Sequence, residues 1–293
     1  MSPAEGFGPG ILPVFRVACS VVTIAAGVAG SVMLVAPQDT DSYFSWPIGP
    51  PPLAATVGAF YLVSAGLFAV LGLRADWSAA QGVCVAVLAF TVPTVVATAH
   101  HDDLFDWGRW QALAWAVVFA ATPVIFSALL FIQRGRATIT GPALPGLTRV
   151  VLGSLGVAYA LLALGFLFAP AELEQRSPYG LPGLSGRFMG SWCAFLAVLA
   201  GFALSRNRAR QAAVPLVALM LWPMAAVVGA LRSFDDLQPS ARRLAYLFVL
   251  AGLATLAGLS LGTNRRVAGR PPTNASRNAI SSSGESGGRT WTK

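Results

Sequence analysis

Charged residues are scarce in this sequence: Asp, Glu, Lys and Arg make up 11% of its 293 residues. Soluble domains carry roughly 25% charged residues, so this chain has too few charges to cover a water-facing surface. In contrast, 55% of the residues are hydrophobic, and the mean hydropathy is +0.65. The scarcity of charge excludes an ordinary soluble enzyme and a disordered chain, and it leaves a polytopic membrane protein.

Cysteine and histidine are also scarce. The three cysteines, Cys19, Cys84 and Cys193, all lie within apolar runs, so we expect no disulfide framework. The only two histidines, His100 and His101, lie at the end of an apolar run and not within one, which disfavours haem ligation. The sequence also lacks a GxSxG, HExxH, Walker or dinucleotide-binding motif. We therefore expect neither catalytic residues nor a cofactor.

Eight apolar stretches are long enough to cross a bilayer, for which about 20 residues are needed. None of them contains Asp, Glu, Lys, Arg or His in its interior. Because a helix satisfies its own backbone polar groups in lipid, each stretch predicts a transmembrane helix. The predicted spans are residues 17–36, 53–73, 79–99, 110–132, 150–169, 188–205, 212–231 and 244–262.

The charges between the spans predict their orientation. If the N-terminus is cytoplasmic, 14 of the 20 basic residues lie on the cytoplasmic side, and 9 of the 12 acidic residues lie in outer loops. This distribution obeys the positive-inside rule, so both termini are predicted to be cytoplasmic in a protein of the cytoplasmic membrane. The first apolar stretch is longer than the core of a signal peptide, and we expect it to be a structural helix.

The net charge of +8 comes mostly from the C-terminal tail. Residues 263–293 contain six basic residues and one acidic residue, among many Ser, Gly and Asn. This composition predicts a disordered segment. A basic tail beside a membrane suits anionic lipid headgroups better than nucleic acid. We therefore expect the lipid bilayer and other membrane proteins as partners, and no nucleic acid.

The chain resembles itself when it is shifted by about 132 residues. Each half has four spans, so the halves share one orientation and are predicted to be two parallel repeats, related by a pseudo-twofold axis along the membrane normal. The matches are Arg16 with Arg149, Ala36-Pro37 with Ala169-Pro170, Pro47 and Gly49 with Pro178 and Gly180, Arg74 with Arg206, Pro93 with Pro223, and Asp102-Asp103-Leu104 with Asp235-Asp236-Leu237.

The predicted fold is therefore an all-α membrane fold of eight transmembrane helices in two four-helix repeats. A short cytoplasmic N-terminus (1–16) precedes the first repeat (17–132). A cytoplasmic linker (133–149) leads to the second repeat (150–262), which the basic tail (263–293) follows.

Two loop segments carry a further resemblance. Residues 46–53 read Trp-Pro-Ile-Gly-Pro-Pro-Pro-Leu, and residues 178–192 contain Pro-Tyr-Gly-Leu-Pro followed by Arg187 and Trp192. With the Asp-Asp-Leu loops two helices later, they resemble a pattern in an uncharacterised family of duplicated multi-pass membrane proteins from GC-rich Gram-positive bacteria. The resemblance covers residues 12–262 and implies this topology without an activity. The first half departs from the pattern, with Thr56 and Phe60 where the second has Arg187 and Trp192.

The duplicated acidic loops are the first candidate functional site. Such a loop can bind a cation or a polar headgroup; alternatively, its carboxylates only cap the following helix. His100 and His101 beside the first pair could add metal ligands, but adjacent residues rarely converge on one ion, and we expect no metal site. Each loop has two aspartates and an arginine six residues after the second: Asp102, Asp103 and Arg109, and then Asp235, Asp236 and Arg242. Arg187, just before the sixth span, is a further candidate functional residue.

Aromatic residues and prolines supply the remaining candidates. Trp46, Tyr179 and Trp192 are predicted to be interfacial anchors, because Trp and Tyr prefer the level of the lipid headgroups. The alternative is that this aromatic, proline-rich loop forms a lid over a lipid-facing cleft. Pro93 and Pro223 lie inside matching spans and predict helix kinks, which serve either packing or a hinge.

These features leave two hypotheses for the function. A non-catalytic accessory or scaffold subunit needs only packing surfaces, charged loops and a basic tail, all of which the sequence contains. A facilitator-type transporter for a neutral or lipid-like small molecule, with its site between the repeats, fits the two halves and the paired prolines. An ion-coupled carrier fits less well, because such carriers usually place ionisable groups at mid-membrane depth. The accessory role is preferred because it requires the fewest additional features.

Overall fold

The structure is a computed structural model that describes residues 12–74, 77–137, 141–175, 177, 180–237 and 241–268, without the side chains of Arg74, Glu174, Asp235, Ala241 and Arg242. This part of the chain folds into ten α-helices: α1 (Pro13–Val35), α2 (Thr40–Tyr43), α3 (Pro51–Arg74), α4 (Trp77–His100), α5 (Trp110–Ile132), α6 (Gly146–Phe168), α7 (Pro170–Glu174), α8 (Gly183–Arg206), α9 (Ala209–Arg232) and α10 (Ala241–Ala268).

Eight of these helices, all except the short α2 and α7, are long and apolar enough to cross a membrane. Each of the eight predicted spans overlaps one of them, which confirms the number and the positions of the spans. Most of the helices are longer than the spans, because they continue into polar residues at their ends. The clearest example is α10, which runs through Arg265 and Arg266 to Ala268.

The eight long helices form a central set and a peripheral set. In α3, α4, α8 and α9, between 50% and 67% of the residues in the apolar stretch are buried, whereas in α1, α5, α6 and α10 the share is between 17% and 28%. Among the central helices, α4 packs against α8 and α3 packs against α9. Of the peripheral helices, α1 packs against α3, α6 against α8, α5 against α4, and α10 against α9.

Glycine allows the close approach of α1 to α3 and of α6 to α8. A Cβ atom at Gly58 on α3 would lie 2.8 Å from the Cβ of Met33 on α1. A Cβ at Gly190 on α8, 132 residues later in the sequence, would lie 2.9 Å from the Cβ of Phe166 on α6. Helices in lipid gain little from burying apolar surface against each other, so close packing at small residues supplies much of their attraction.

The chain leaves α1 and α6 in the same conformation. Ala36 and Ala169 follow these helices with φ and ψ of −126° and 61°, and of −133° and 53°. The next residue in each half is a proline: Pro37 begins a 3-10 turn, and Pro170 begins α7. Proline suits the first position of a helix, because the N–H group there needs no partner within the helix.

Pro93 and Pro223 lie inside α4 and α9, which are two of the four central helices. Both helices continue through the proline without interruption. Beside Pro93, the hydroxyl groups of Thr91 and Thr94 donate hydrogen bonds to the carbonyls four residues earlier, at 2.9 Å and 2.7 Å. These bonds satisfy the polar side chains within their own helix.

The charged residues separate to the two ends of the bundle. One end, which we call the acidic end, carries Asp39, Asp41, Asp102, Asp103, Asp106, Glu172 and Asp236, together with Arg109, Arg187, Arg232 and Arg243. The opposite end, which we call the basic end, carries Arg16, Arg134, Arg136, Arg149, Arg206, Arg208, Arg210, Arg265 and Arg266.

Side chains and backbone groups connect the segments at the basic end. The guanidinium of Arg206 donates to the side-chain oxygen of Gln81 at 2.8 Å, joining α8 to α4. The N–H of Ala209 donates to the carbonyl of Pro142 at 2.9 Å, and the side-chain amide of Asn264 donates to the carbonyl of Ala209 at 2.7 Å. The segment before α6, the start of α9 and the last turns of α10 are therefore held together.

Candidate functional site

The two acidic loops contain the same backbone turn. After α4, His101 has φ −127° and ψ 38°, residues Asp102–Leu104 form a 3-10 turn, and Phe105 is extended. After α9, Ser233 has φ −128° and ψ 45°, residues Phe234–Asp236 form a 3-10 turn, and Leu237 is extended. The turn therefore aligns Phe105 with Leu237.

When the two turns are aligned in this way, the two Asp-Asp-Leu triplets are one residue out of register. Phe105 and Leu237 are 5% and 1% exposed, whereas Leu104 is 41% exposed. In each turn one apolar side chain, Phe105 or Leu237, packs into the bundle. The aspartates occupy the other positions of the turn. The triplets Asp102-Asp103-Leu104 and Asp235-Asp236-Leu237 are thus not in equivalent positions, although their sequences are identical.

Asp106, the acidic residue nearest to the start of α5, does not cap this helix. Helix α5 begins at Trp110, and its N-cap residue is Arg109, which makes no capping hydrogen bond through its side chain. Asp106 instead accepts a hydrogen bond from the N–H of Gly108 at 3.1 Å, which closes a local turn before the helix. In the second half, residues 238–240 before α10 and the side chain of Asp235 lie outside the described residues.

Arginines connect both acidic loops to other segments. The guanidinium of Arg109 donates to the backbone carbonyls of Asp41 and Ser42 in α2, so it joins the α4–α5 loop to the loop after α1. In the second half, Arg243 donates to the carbonyl of Phe234 at 3.3 Å and lies 3.9 Å from the centre of its ring. The spacing in the sequence pointed to Arg242, whose side chain is not described, and missed Arg243. Because the two arginines are adjacent, the sequence alone does not indicate which of them faces the turn.

His101 and Arg187 form a contact between the two halves. The guanidinium of Arg187 on α8 lies within hydrogen-bonding distance of the Nε2 atom of His101, which follows α4. Because a guanidinium can only donate, this nitrogen is the unprotonated acceptor of the ring. The ring also lies over the start of α8: a Cβ atom at Gly183 would be 3.5 Å from the Cε1 atom of His101.

This environment lowers the pKa of His101. The main cause is partial burial of the ring, which disfavours the charged form. The positive charge of Arg187 and the neighbouring His100 lower the pKa further, and Asp103 opposes them. Sequence reasoning considered a metal-binding role for His101, expected no metal site, and missed this contact with Arg187. Among the described residues, no cluster of three or more His, Cys, Asp or Glu side chains is placed to hold a metal ion.

Trp46 and Trp192 are buried, which corrects their assignment as interfacial anchors. They are 3% and 4% exposed, whereas an anchor must reach the headgroups. Their positions near helix ends suggested exposure, but the loop after α1 folds inward and α8 is central. Trp107 and Trp110, 41% and 72% exposed at the acidic end, have the exposure that an anchor needs. Tyr179 lies outside the described residues.

Packed aromatic rings run from the acidic end into the centre of the bundle. Trp46 lies 4.7 Å from Trp115 and 5.6 Å from Phe188, measured between ring centroids. Deeper in the bundle, Trp192 lies 4.2 Å from Phe90 and 5.7 Å from Trp222. We call the whole group the aromatic core: Phe44, Trp46, Phe90, Phe105, Trp115, Phe119, Phe188, Trp192, Phe195 and Trp222.

The aromatic core joins the halves and fills the space between the central helices that contribute to it. In the first half its rings come from α4, from α5 and from the loops before α3 and before α5, and in the second half they come from α8 and α9. The indole Nε1 atoms of Trp46, Trp192 and Trp222 are buried without a hydrogen-bond partner in this core. Leaving such a donor unpaired costs about 1–3 kcal/mol, which the burial of the large rings must offset.

Eight helices of this length and composition, with the charged side chains near their ends, are those of an integral, multi-pass membrane protein. Comparisons of the chain with models of protein families, with curated proteins and with solved structures find no match.

Proposed function

We propose that the protein is a non-catalytic accessory or scaffold subunit of a complex in the cytoplasmic membrane. The observation that supports this proposal most directly is the aromatic core, which fills the centre of the bundle with large packed rings. Protein interiors packed in this way resist deformation, so the bundle presents its loops and helix faces in fixed positions. A subunit that holds other proteins needs this rigidity and does not need an internal cavity.

We infer that the bundle consists of two parallel four-helix repeats. In each half the second and third helices are central, the first packs against the second, and the fourth packs against the third. The glycines Gly58 and Gly190 lie at matching crossings, and Ala36 and Ala169 end matching helices in one conformation. The arginines at the basic end favour a cytoplasmic location for that end and for both termini, as the positive-inside rule expects.

Purification from the native host in a mild detergent tests the accessory role. We expect a stoichiometric protein partner that remains bound to the wild-type chain. Charged groups at a protein interface strengthen and orient binding, so Asp102→Asn combined with Asp103→Asn should weaken capture of this partner about tenfold. Asp39→Asn is the matched control, because Asp39 is exposed at the same end of the bundle. Isolation of the wild-type protein as a partner-free monomer would contradict the proposal.

One observation favours the alternative, a facilitator for a neutral or lipid-like molecule. Pro93 and Pro223 lie in two central helices that pack against each other, where a pair of hinges could open the space between the repeats. If the protein is a facilitator, replacing both prolines by alanine should abolish flux of its substrate in reconstituted vesicles. Pro123→Ala on the peripheral helix α5 is the control and should leave flux unchanged. Unchanged flux in the double variant would exclude the hinge.

A further inference from the structure

A groove of about 300 Å³ lies between α4 and α5 in the half of the bundle nearest the acidic end. Its α4 side is formed by Val95 and Ala99, and its α5 side by Ala116, Phe119 and Ala120. Ala99 and Ala120 are exposed, so the groove opens to the outside of the bundle, where lipid surrounds the helices. Ligand sites range from about 300 to 1,000 Å³, so this groove accommodates a narrow ligand.

The polar atoms in the wall of the groove are already hydrogen-bonded. The indole N–H of Trp115 donates to the hydroxyl oxygen of Thr98 at 3.1 Å, and this hydroxyl donates to the carbonyl of Thr94 at 2.9 Å. The indole N–H of Trp107 donates to the carbonyl of Asp102 at 3.1 Å. The wall therefore offers aromatic faces and methyl groups, and the ligand segment that fits it is a hydrocarbon chain.

The groove lies within the thickness of one leaflet of a bilayer. From Trp110, at the start of α5, to Ala120 the helix rises about 15 Å, at about 1.5 Å per residue. The hydrocarbon core of a bilayer is about 30 Å thick, so this distance covers about half of it. A chain in the groove would therefore begin at the membrane surface, beside Trp107, and end near the bilayer centre.

The mouth of the groove is acidic. The bond between the Trp107 indole and the carbonyl of Asp102 holds Asp102 beside the groove, and Asp106 directly precedes Trp107. Asp102, Asp103 and Asp106 are all exposed. The guanidinium of Arg109 binds backbone carbonyls of α2, so it does not pair with these carboxylates.

We propose that the α4–α5 groove binds a phospholipid whose headgroup carries a primary ammonium group, with one acyl chain in the groove and the ammonium beside Asp102, Asp103 and Asp106. The carboxylates attract an ammonium group and repel a lipid with a net negative charge, which gives the site its selectivity. This proposal does not rest on the accessory role, because it depends only on the groove and its mouth.

Native mass spectrometry of the purified full chain tests this site with two lipids that share the same acyl chains. Phosphatidylethanolamine should bind about tenfold more tightly than phosphatidylglycerol. Ala116→Leu fills the groove and should lower phosphatidylethanolamine binding about tenfold, whereas Ala114→Leu, exposed on the same helix outside the groove, should have no effect. Equal binding of the two lipids, or undiminished binding to the Ala116→Leu variant, would overturn the proposal.

A second variant separates the headgroup contact from the chain contact. Replacing Asp102, Asp103 and Asp106 together by Asn should remove the preference for phosphatidylethanolamine, while Asp39→Asn should retain it. Asn at position 106 still offers an oxygen to the N–H of Gly108, so the local turn is preserved. A phosphatidylethanolamine with a photoreactive acyl chain should crosslink to residues 95–99 and 115–120 of the wild-type protein, and crosslinks confined to other helices would contradict the site.

Discussion

At the scale of single residues, His101 makes a contact between the two halves that the sequence does not predict. The residue follows the last turn of α4, and its ring meets Arg187 and the start of α8. An imidazole that accepts a hydrogen bond from a guanidinium must be neutral at that nitrogen. The contact therefore depends on pH, because protonation of Nε2 removes the lone pair that accepts from Arg187.

We expect the stability of the protein to fall on acidification because of His101. Its folded-state pKa lies below the ordinary value of 6.5, so the unfolded chain binds a proton more readily. The stabilising contribution is complete above about pH 6.5 and declines as the pH falls toward the folded-state pKa. The melting temperature in detergent should therefore decrease between pH 7.5 and pH 5, and less so in His101→Gln, whose side chain can still accept from Arg187.

His100→Gln is the matched control for this measurement, because His100 is exposed and adjacent to His101. The melting temperature of this variant should still fall on acidification, because His101 and its contact with Arg187 are retained. An identical fall in melting temperature for wild type and His101→Gln would show that His101 does not carry the effect.

Trp46 allows a second test at this scale. Its ring contacts Phe44, Phe105, Trp115 and Phe188, and its side chain is 3% exposed. Truncation of such a residue to alanine costs about 3–5 kcal/mol. Trp46→Ala should therefore lower the melting temperature strongly, whereas Trp110→Ala, at a site 72% exposed, should change it little. Similar decreases in melting temperature in both variants would support the prediction that Trp46 is an interfacial anchor.

At the scale of helices, close crossings decide which pairs form. The closest of the glycine contacts joins α9 to α3: a Cβ atom at Gly229 would lie 2.4 Å from the Cα of Thr56. The sequence marks Gly229 only as one of 30 glycines. Its role depends on a partner far away along the chain, so no local pattern reveals it.

Gly229→Ala should destabilise the bundle, because the added methyl group meets backbone atoms that cannot move aside. Overpacking of this kind costs about 1–3 kcal/mol. The control is Gly252→Ala on α10, where no heavy atom lies within 4 Å of the added Cβ. Alanine is favoured over glycine within a helix by about 1 kcal/mol, so this control should be neutral or slightly stabilising. Thermal unfolding in detergent measures both, and a neutral Gly229→Ala variant would argue against the close crossing of α3 and α9.

At the scale of the whole molecule, the charges at the two ends predict the orientation of the bundle in the membrane. The basic and acidic ends predict that Arg136 faces the cytoplasm and Asp106 faces outward. Cys19, Cys84 and Cys193 are buried, so the wild-type protein should react little with a membrane-impermeant thiol reagent. Asp106→Cys should be labelled in intact cells, and Arg136→Cys only after the cells are opened. The reverse pattern would invert the topology.

Eight helices and the separation of charge between their ends could be read from the sequence alone. Both depend on local properties. The length of an apolar stretch can be compared directly with the bilayer thickness, and charged residues are excluded from the interior of the stretch. The ends of the helices differ from the predicted spans by only a few residues, as for α8, predicted from residue 188 and observed from Gly183.

Only the tertiary structure decided which helices are central, where the aromatic rings lie and which charged residues meet. Trp46 lies in a loop, and the span predicted from residue 188 places Trp192 near a helix start, yet inward packing buries both residues. The contact between His101 and Arg187, and the groove between α4 and α5, join residues that are not neighbours in the sequence. Such features depend on how helices cross and pack, which the apolar content of each separate span does not specify.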